Sequence, residues 1–460
     1  MENYTIKDII KATCGNLVNG DLNANIENIS TDSRTIKKGD IFVALIGERF
    51  DGHDFIAQAI DKGATGVVIS HKVDGIDNRK NLNVIMVKDT THALGDIAKD
   101  YRKRFNIPII GVTGSNGKTT TKDMIYEVLS SENKVLKSEG NFNNTIGLPL
   151  TLFRLSNTHE IAVVEMGINL PGEMARLVEI AEPNVAVITN ISPTHLEFLG
   201  SVEGVAKEKS ILAESASWVM LNNDDPYVAK MGKRIKGRIF YYGIDKSANI
   251  SAKDIKLDDE GRAEFTLLIN KKRFERIKLS ILGKHNVYNA LRAIAVGILY
   301  DVSPDNIKKA VESYQPMSMR MQKMVINDIT IINDTYNSNP MSMMAGVDLL
   351  KSLKCDGKKV LVVGDMLELG EYSDRFHNEI GDYIAKSGSA EILITMGEKA
   401  VKIAESAINS GLKKDQVIVC QNNSEVAENL SKILKQGDIA LIKGSRGMKM
   451  EQIVKVIEER

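Results

Sequence analysis

The stretch "IPIIGVTGSNGKTTTKDM", residues 107–124, constrains this chain more than any other. An apolar run ends at a glycine-rich turn, and a helix-forming segment begins at once. Strand, glycine loop and helix in that order let backbone N–H groups converge on phosphate oxygens, and the helix terminus adds partial positive charge. Lys118 would then reach the β- and γ-phosphates, and the Thr119 hydroxyl would be offered to Mg²⁺. Gly114, Ser115, Asn116, Gly117 and Thr120 make up the rest of the loop. The strict P-loop spelling needs glycine at position 112, where Val112 stands, and the glycine falls one place earlier, at Gly111. The short pattern therefore fails, although the strand–loop–helix context that gives it meaning is present.

A loop of this kind belongs to a parallel sheet covered by helices, and the chain is long enough to hold more than that. Single hydrophobic cores stop growing near 250–300 residues. At about 150 residues per domain, 460 residues imply three units. Residues 1–82 read as a small α/β unit, with β-branched runs such as "IFVALIG" and "GVVIS" between helical patterns. Residues 83–314 carry the phosphate loop, the buried-looking strands "IAVVEMG" and "VAVITNIS", and from about Gly237 to Leu282 short alternating segments that suggest an antiparallel insert. Residues 315–460 form a third, Rossmann-like α/β pattern with strands "VLVVGD", "EILITMG", "QVIVC" and "DIALIKG".

Charge and cysteine usage exclude several classes of function. With 60 Lys+Arg against 60 Asp+Glu, nothing pulls the chain toward nucleic acid or an anionic membrane, so a small-molecule partner is favoured. Cys14, Cys355 and Cys420 lack metal or disulfide spacing and are expected to be buried thiols in a reducing compartment. The N-terminus has neither the basic start nor the apolar core of a signal peptide, and no apolar run spans a bilayer. A cytoplasmic protein without membrane insertion, acting as a monomer, is expected.

Three further positions bear on chemistry. Glu165 ends an apolar strand, where open parallel sheets gather ligands, and its carboxylate is a hard oxygen donor for Mg²⁺. His195 follows the next strand; imidazole suits Mn²⁺ better than Mg²⁺, so ordinary hydrogen bonding and metal ligation stand as alternatives. Lys207 and Lys209 in "GVAKEKSILAE" fit a solvated helix face as well as a site.

Taken together, "GVTGSNGKTT", "EGNFNNTIGLP", "VVEMG", "ISPTHLEFLGS", "GKHNVYNALRA" and "NDTYNSNP" resemble, in that order, the Mur ligases of peptidoglycan synthesis, and the likeness covers essentially the whole chain. The resemblance implies an N-terminal uridine-nucleotide domain, a central ATP domain and a C-terminal domain that binds the incoming amine and part of ATP. It implies that Lys118 and Thr119 meet ATP phosphates and Mg²⁺, and that Glu165 and His195 hold one or two Mg²⁺ ions, with Mn²⁺ as the alternative. Asn141 and Asn144 would lie beside the nucleotide, Asn289 at the adenine, and Asp334, Tyr336 and Asn337 with the C-terminal ATP contacts. Arg320 would reach the phosphates, although Met319 precedes it where the family usually has glycine. One lysine would be carbamylated to support the second metal; Lys209 aligns with it and Lys207 competes. Ser33 and Arg34 in "TDSR" would meet the nucleotide-sugar substrate.

Within the family, "YNSNP" with "GDMLELGE" points to the member that joins D-alanyl-D-alanine to UDP-N-acetylmuramoyl-tripeptide, ahead of members that add a single amino acid. Two readings from other classes remain. A non-catalytic nucleotide switch would need a guanine-reading N-K-x-D, which the chain lacks. A small-molecule kinase would stop at a phosphorylated product.

Overall fold

The strand that feeds the glycine loop, Ile109–Thr113, lies in the interior of a nine-stranded sheet, between Ile161–Glu165 on one side and Val185–Ile188 on the other, all parallel. After this strand the chain builds first to one side and then crosses to the other, which makes its carboxyl end the crevice where such sheets bind ligands. In the computed structural model, which describes residues 1–76 and 79–459, this sheet is one of three. Its three inner strands are apolar and buried along their whole length, as strands covered on both faces must be. The helices Lys118–Ser130 and His285–Leu299 share one apolar core through Met124, Ile125, Val128, Val287, Leu291 and Ile294.

The expected antiparallel segment is present in Ile250–Leu257, Arg262–Ile269 and Lys272–Leu282, which extend the edge of the same sheet. Arg238–Gly243, which reads from sequence as part of that segment, pairs parallel to both of its neighbours.

The N-terminal sheet has five strands, parallel except for Asn16–Asn19. Its strand Asn83–Met86 lies beyond Leu82, so the sheet continues past the boundary expected there. The helix Thr90–Arg102 joins this unit to the central one: Leu94, Ile97 and Tyr101 share a core with Tyr4 and Ile9 on one side and with Leu152 and Leu177 on the other. The C-terminal sheet has six strands, four of them the apolar runs read from sequence. Its first two form a hairpin, Gln322–Ile326 and Ile329–Asp334, turned by Asn327 and Asp328 with φ of 50° and 60°. An Asn-Asp pair between β-branched runs favours that turn.

Of the cysteines only Cys420 is buried; Cys14 is exposed and Cys355 half-buried, and all three are free thiols. Cys14 ends the first helix with φ of 51°, which turns its side chain away from the core expected to hold it. His53 is structural: its Nδ1 lies 2.6 Å from Asp51 and its Nε2 accepts the Ser70 N–H. Among the described residues no helix is long and apolar enough to cross a membrane.

Candidate active site

Segment 189–194 fixes the glycine loop before any ligand is considered. The N–H of Ser115 donates to the Asn190 carbonyl at 2.8 Å, that of Asn116 to Asn190 Oδ1 at 3.0 Å, and the Ser115 hydroxyl accepts from the Ser192 N–H at 2.9 Å. Gly117, in the left-handed region, caps the helix Lys118–Ser130, whose first N–H groups have no intrahelical partner. The Lys118 ammonium donates to the Gly114 and Ser115 carbonyls at 2.9 and 3.3 Å. Burial lowers its pKa, Glu165 opposes that shift and Arg320 adds to it.

Gly114 is the position that tolerates no side chain. Its φ is +145°, and a Cβ there would stand 1.8 Å from Thr189 Oγ1. Gly114→Ala is expected to displace the loop, and Lys118 with it, and to slow turnover on the order of 10²-fold, as a misplacement of about 1 Å does; the rate of ADP release checks it.

Around the loop opens a cleft of about 860 Å³, lined by residues of the central and C-terminal units. Of the sequence-derived candidates, Ser115, Asn116, Gly117, Lys118, Thr119, Thr120, Asn141, Asn144, Glu165, His195, Asn289, Arg320, Asp334, Tyr336 and Asn337 all line it. Gly114 lies behind the loop against Thr189. Ser33 and Arg34 are elsewhere, on the N-terminal unit: Ser33 donates to Gln58 at 2.7 Å, and Arg34 pairs with Asp32 at 2.8 Å.

Glu165 is 2% exposed. Its Oε1 accepts from Asn143 Nδ2 at 2.8 Å, and its Oε2 is buried without a hydrogen-bond partner among the described residues. A buried carboxylate oxygen left bare costs free energy unless something cationic completes it. With the Thr119 hydroxyl and the His195 imidazole on the same cleft, the Glu165 carboxylate completes a mixed oxygen and nitrogen donor set that fits a divalent cation. His195 Nδ1 meets Glu368 of the C-terminal unit at 2.5 Å. Lys209 is 1% exposed, whereas Lys207 is exposed. Among the described residues no hydrogen bond or ion pair reaches the Lys209 amine, and burial, aided by Lys118, drives its pKa well below the usual lysine range.

The C-terminal unit reaches the loop directly. Arg320 Nη2 donates to Thr119 Oγ1 at 3.0 Å, and its guanidinium lies 3.8 Å from the centre of the Tyr336 ring. Asn339 and Asn116 exchange amide hydrogen bonds of 2.7 and 3.3 Å. Met319 and Met321, on either side of Arg320, have φ of 61° and 50°, so the turn that glycine would make is made by methionine, at about 1–2 kcal/mol per residue.

Four cleft residues escape a sequence reading. Asn143, and neither Asn141 nor Asn144, holds Glu165; Asn144 Oδ1 accepts instead from the Ile146 and Gly147 N–H groups, ahead of the helix Gly147–Leu152. Arg292 is 2% exposed and bonds Tyr242, Thr189, Thr121 and Asn289. Asp224 accepts from Tyr288, and Lys443 pairs with Asp334 at 2.5 Å. Only the repeated asparagines of "NFNNT" carried a signal.

His285, also on the cleft, titrates low. Burial pushes its imidazole down to about 4, with Lys443 and Arg292 adding to the effect and Asp334 opposing it. It is neutral when folded, while the unfolded chain takes up the proton near pH 6.5. Stability is therefore expected to fall as pH drops from about 6.5 to about 4 and then to level off. His285→Asn should lose less over that window in unfolding midpoints measured against pH.

Residues 25–102 match the family described as "Mur ligase family, catalytic domain", residues 112–297 the "Mur ligase middle domain", and residues 319–446 the "Mur ligase, glutamate ligase domain". The chain belongs to the Mur ligase family. A relative from Bacillus subtilis, UDP-N-acetylmuramoyl-tripeptide--D-alanyl-D-alanine ligase, is 38% identical over 99% of this chain and 98% of its own. Among solved Mur ligase structures, MurF from Acinetobacter baumannii is 30% identical, with a TM-score of 0.90 and 99% of each chain covered. MurF from Thermotoga maritima, solved in complex with ADP, is 29% identical with a TM-score of 0.82, covering 94% of this chain and 97% of that one. The loop residues Gly114 to Thr120 lie inside the matched middle domain, which begins at residue 112, directly after Gly111.

Proposed function

We propose that this protein is an ATP-dependent amide ligase of peptidoglycan precursor synthesis. It joins D-alanyl-D-alanine to the terminal peptide carboxylate of UDP-N-acetylmuramoyl-tripeptide and releases ADP and phosphate. The observation that carries the reading is Arg320, which crosses from the C-terminal unit to Thr119 on the phosphate loop in a chain that matches a ligase of that name end to end. A cation from a second domain stabilises the charge gathered in phosphoryl transfer, and it is the full-length match to a ligase, with no guanine-reading N-K-x-D in the sequence, that sets the reading apart from a nucleotide switch.

The carboxylate must be activated because its oxygen is a poor leaving group. A carboxylate oxygen attacks the γ-phosphorus, and ADP departs, leaving an acyl phosphate. The amine of D-alanyl-D-alanine then attacks the carbonyl carbon, loses a proton, and expels phosphate with the oxygen it captured. No covalent enzyme nucleophile is required. Lys118 and Arg320 stabilise the charge that develops in both steps, and the paired Asn116 and Asn339 hold the two units together over the site, excluding water that would hydrolyse the acyl phosphate.

Glu165, His195 and Thr119 would hold Mg²⁺, or Mn²⁺, which when bound neutralises charge on the phosphate oxygens. Lys209 is the lysine we assign to carbamylation: it is buried, and the neutral amine that burial favours there is the form that adds carbon dioxide, whereas Lys207 is exposed. The N-terminal unit, with Ser33 and Arg34, takes the uridine end; the central unit takes ATP; the C-terminal unit takes the dipeptide and part of ATP. Action as a monomer is part of the same proposal.

The test is ADP release with ATP, Mg²⁺ and UDP-N-acetylmuramoyl-tripeptide, comparing D-alanyl-D-alanine with single amino acids and weighing the product. Stoichiometric ADP with the dipeptide alone, and a product longer by two alanines, is expected. Release driven by a single amino acid would reassign the chain to another Mur ligase activity; release without any amine would make it a kinase.

A further inference from the structure

The imidazole of His195 is gripped from the opposite unit. His195 heads the short helix Leu196–Leu199 of the central unit. The Glu368 carboxylate that meets its Nδ1 at 2.5 Å comes from the loop after the C-terminal strand Lys359–Gly364. The backbones meet as well: the Glu197 N–H donates to the Glu368 carbonyl at 3.3 Å, and a Cβ on Gly370 would approach Glu197 Cα to 3.2 Å. His195 and Glu368 both hold left-handed backbone, with φ of 54° and 62°, a conformation that persists for such residues only where the surroundings enforce it.

The loop that carries Glu368 is pinned on its own unit. Buried His377 accepts the Met366 N–H at Nε2, 3.1 Å, and donates from Nδ1 to the Ser373 carbonyl at 2.7 Å. The Leu367 N–H donates to Ser445 Oγ at 2.9 Å, and Leu369 is buried. Glu368 is thus presented by a rigid loop. A carboxylate on Nδ1 keeps the proton there and leaves the lone pair on Nε2. His195 lines the cleft, and among the described residues no hydrogen bond reaches its Nε2.

We propose that Glu368 is a positioning residue for His195: delivered by the C-terminal unit, it holds the imidazole with Nε2 presented to the cation, so that the cation site is complete only while that unit is docked. The inference rests on the reading of His195 as a cation ligand. It makes docking and cation binding reciprocal, each strengthening the other by the same factor. The cation would then be held loosely by the open protein and tightly by the closed one.

The experiment uses the full chain with ADP and Mn²⁺ as the probe, the free-ion paramagnetic resonance signal giving affinity for wild type, His195→Ala, Glu368→Ala and the double variant. Glu368→Ala is expected to weaken Mn²⁺ binding about 10- to 100-fold, with the double variant no weaker than His195→Ala alone. Glu368→Gln keeps the shape without the charge, and is expected to fall between wild type and Glu368→Ala. In metal-free protein, long-range proton–nitrogen spectra of labelled histidine should show His195 protonated on Nδ1 in wild type and shifted toward Nε2 in Glu368→Ala, a change that loss of packing alone would not produce. If His195→Ala binds Mn²⁺ as wild type does, the ligand reading fails and the inference with it. If His195→Ala is weakened but Glu368→Ala is not, or the tautomer does not move, or the two losses add in the double variant, the inference is overturned and the ligand reading stands.

Discussion

Lys118→Ala is expected to lower ligation about 10³-fold, the scale of losing a preorganised charge at a transition state, while the protein stays folded. Among the described residues the ammonium meets two loop carbonyls, Gly114 and Ser115, and its burial opposes its own charge, so removing it takes away little that holds the fold. What it removes is a cation fixed at the head of a helix, where transferring phosphate gathers charge. Lys118→Arg should not restore the rate, because a planar guanidinium cannot occupy the place of a compact ammonium between those carbonyls. Stoichiometric ADP release at saturating ATP and Mg²⁺, with a thermal melt beside it, checks both halves. Full turnover in the alanine variant would take Lys118 out of the mechanism.

Glu165→Ala is expected to cost turnover on the same scale, about 10³-fold. In the free protein two effects oppose each other: the variant relieves the bare, buried Oε2 but takes the acceptor from the Asn143 amide and the supporting carboxylate from the Lys118 ammonium. The diagnostic is Mg²⁺. A cation that binds only the folded protein raises stability by about 2.7 kcal/mol at a hundred times its dissociation constant. That Mg²⁺-dependent rise in melting temperature should be present in wild type and absent in Glu165→Ala. A rise that survives the substitution would mean that the carboxylate is not the cation's anchor.

The parts of the site legible in the sequence are those where backbone geometry dictates residue type. The glycine loop declares itself because Gly114 and Gly117 must hold positive φ, and Glu165 because an acidic residue closing an apolar strand has little reason to be there except chemistry. The apolar strands of the C-terminal sheet were legible for the same reason, being buried on both faces. Contacts between units were not. Nothing in the spelling of "GDMLELGE" says that Glu368 meets His195 173 residues away, or that Asn339 meets Asn116. Asn143 could not be told from its neighbours Asn141 and Asn144, because one residue's rotation along an irregular loop decides which amide faces Glu165. Arg238–Gly243 was misjudged because two-residue alternation shows that a strand is half-buried, and not in which direction its neighbours run.

The two methionines flanking Arg320 have a kinetic meaning. Residues held at φ of 61° and 50° store energy that any opening able to return them to negative φ releases. An opening of the interdomain joint that returned both residues to negative φ would therefore be favoured by the release of that strain. A glycine at position 319 would keep the arginine in place on a slack joint. Met319→Gly, which removes that bias at one of the two positions, should slow ADP release relative to the wild-type protein, measured by stopped-flow release of a fluorescent ADP analogue.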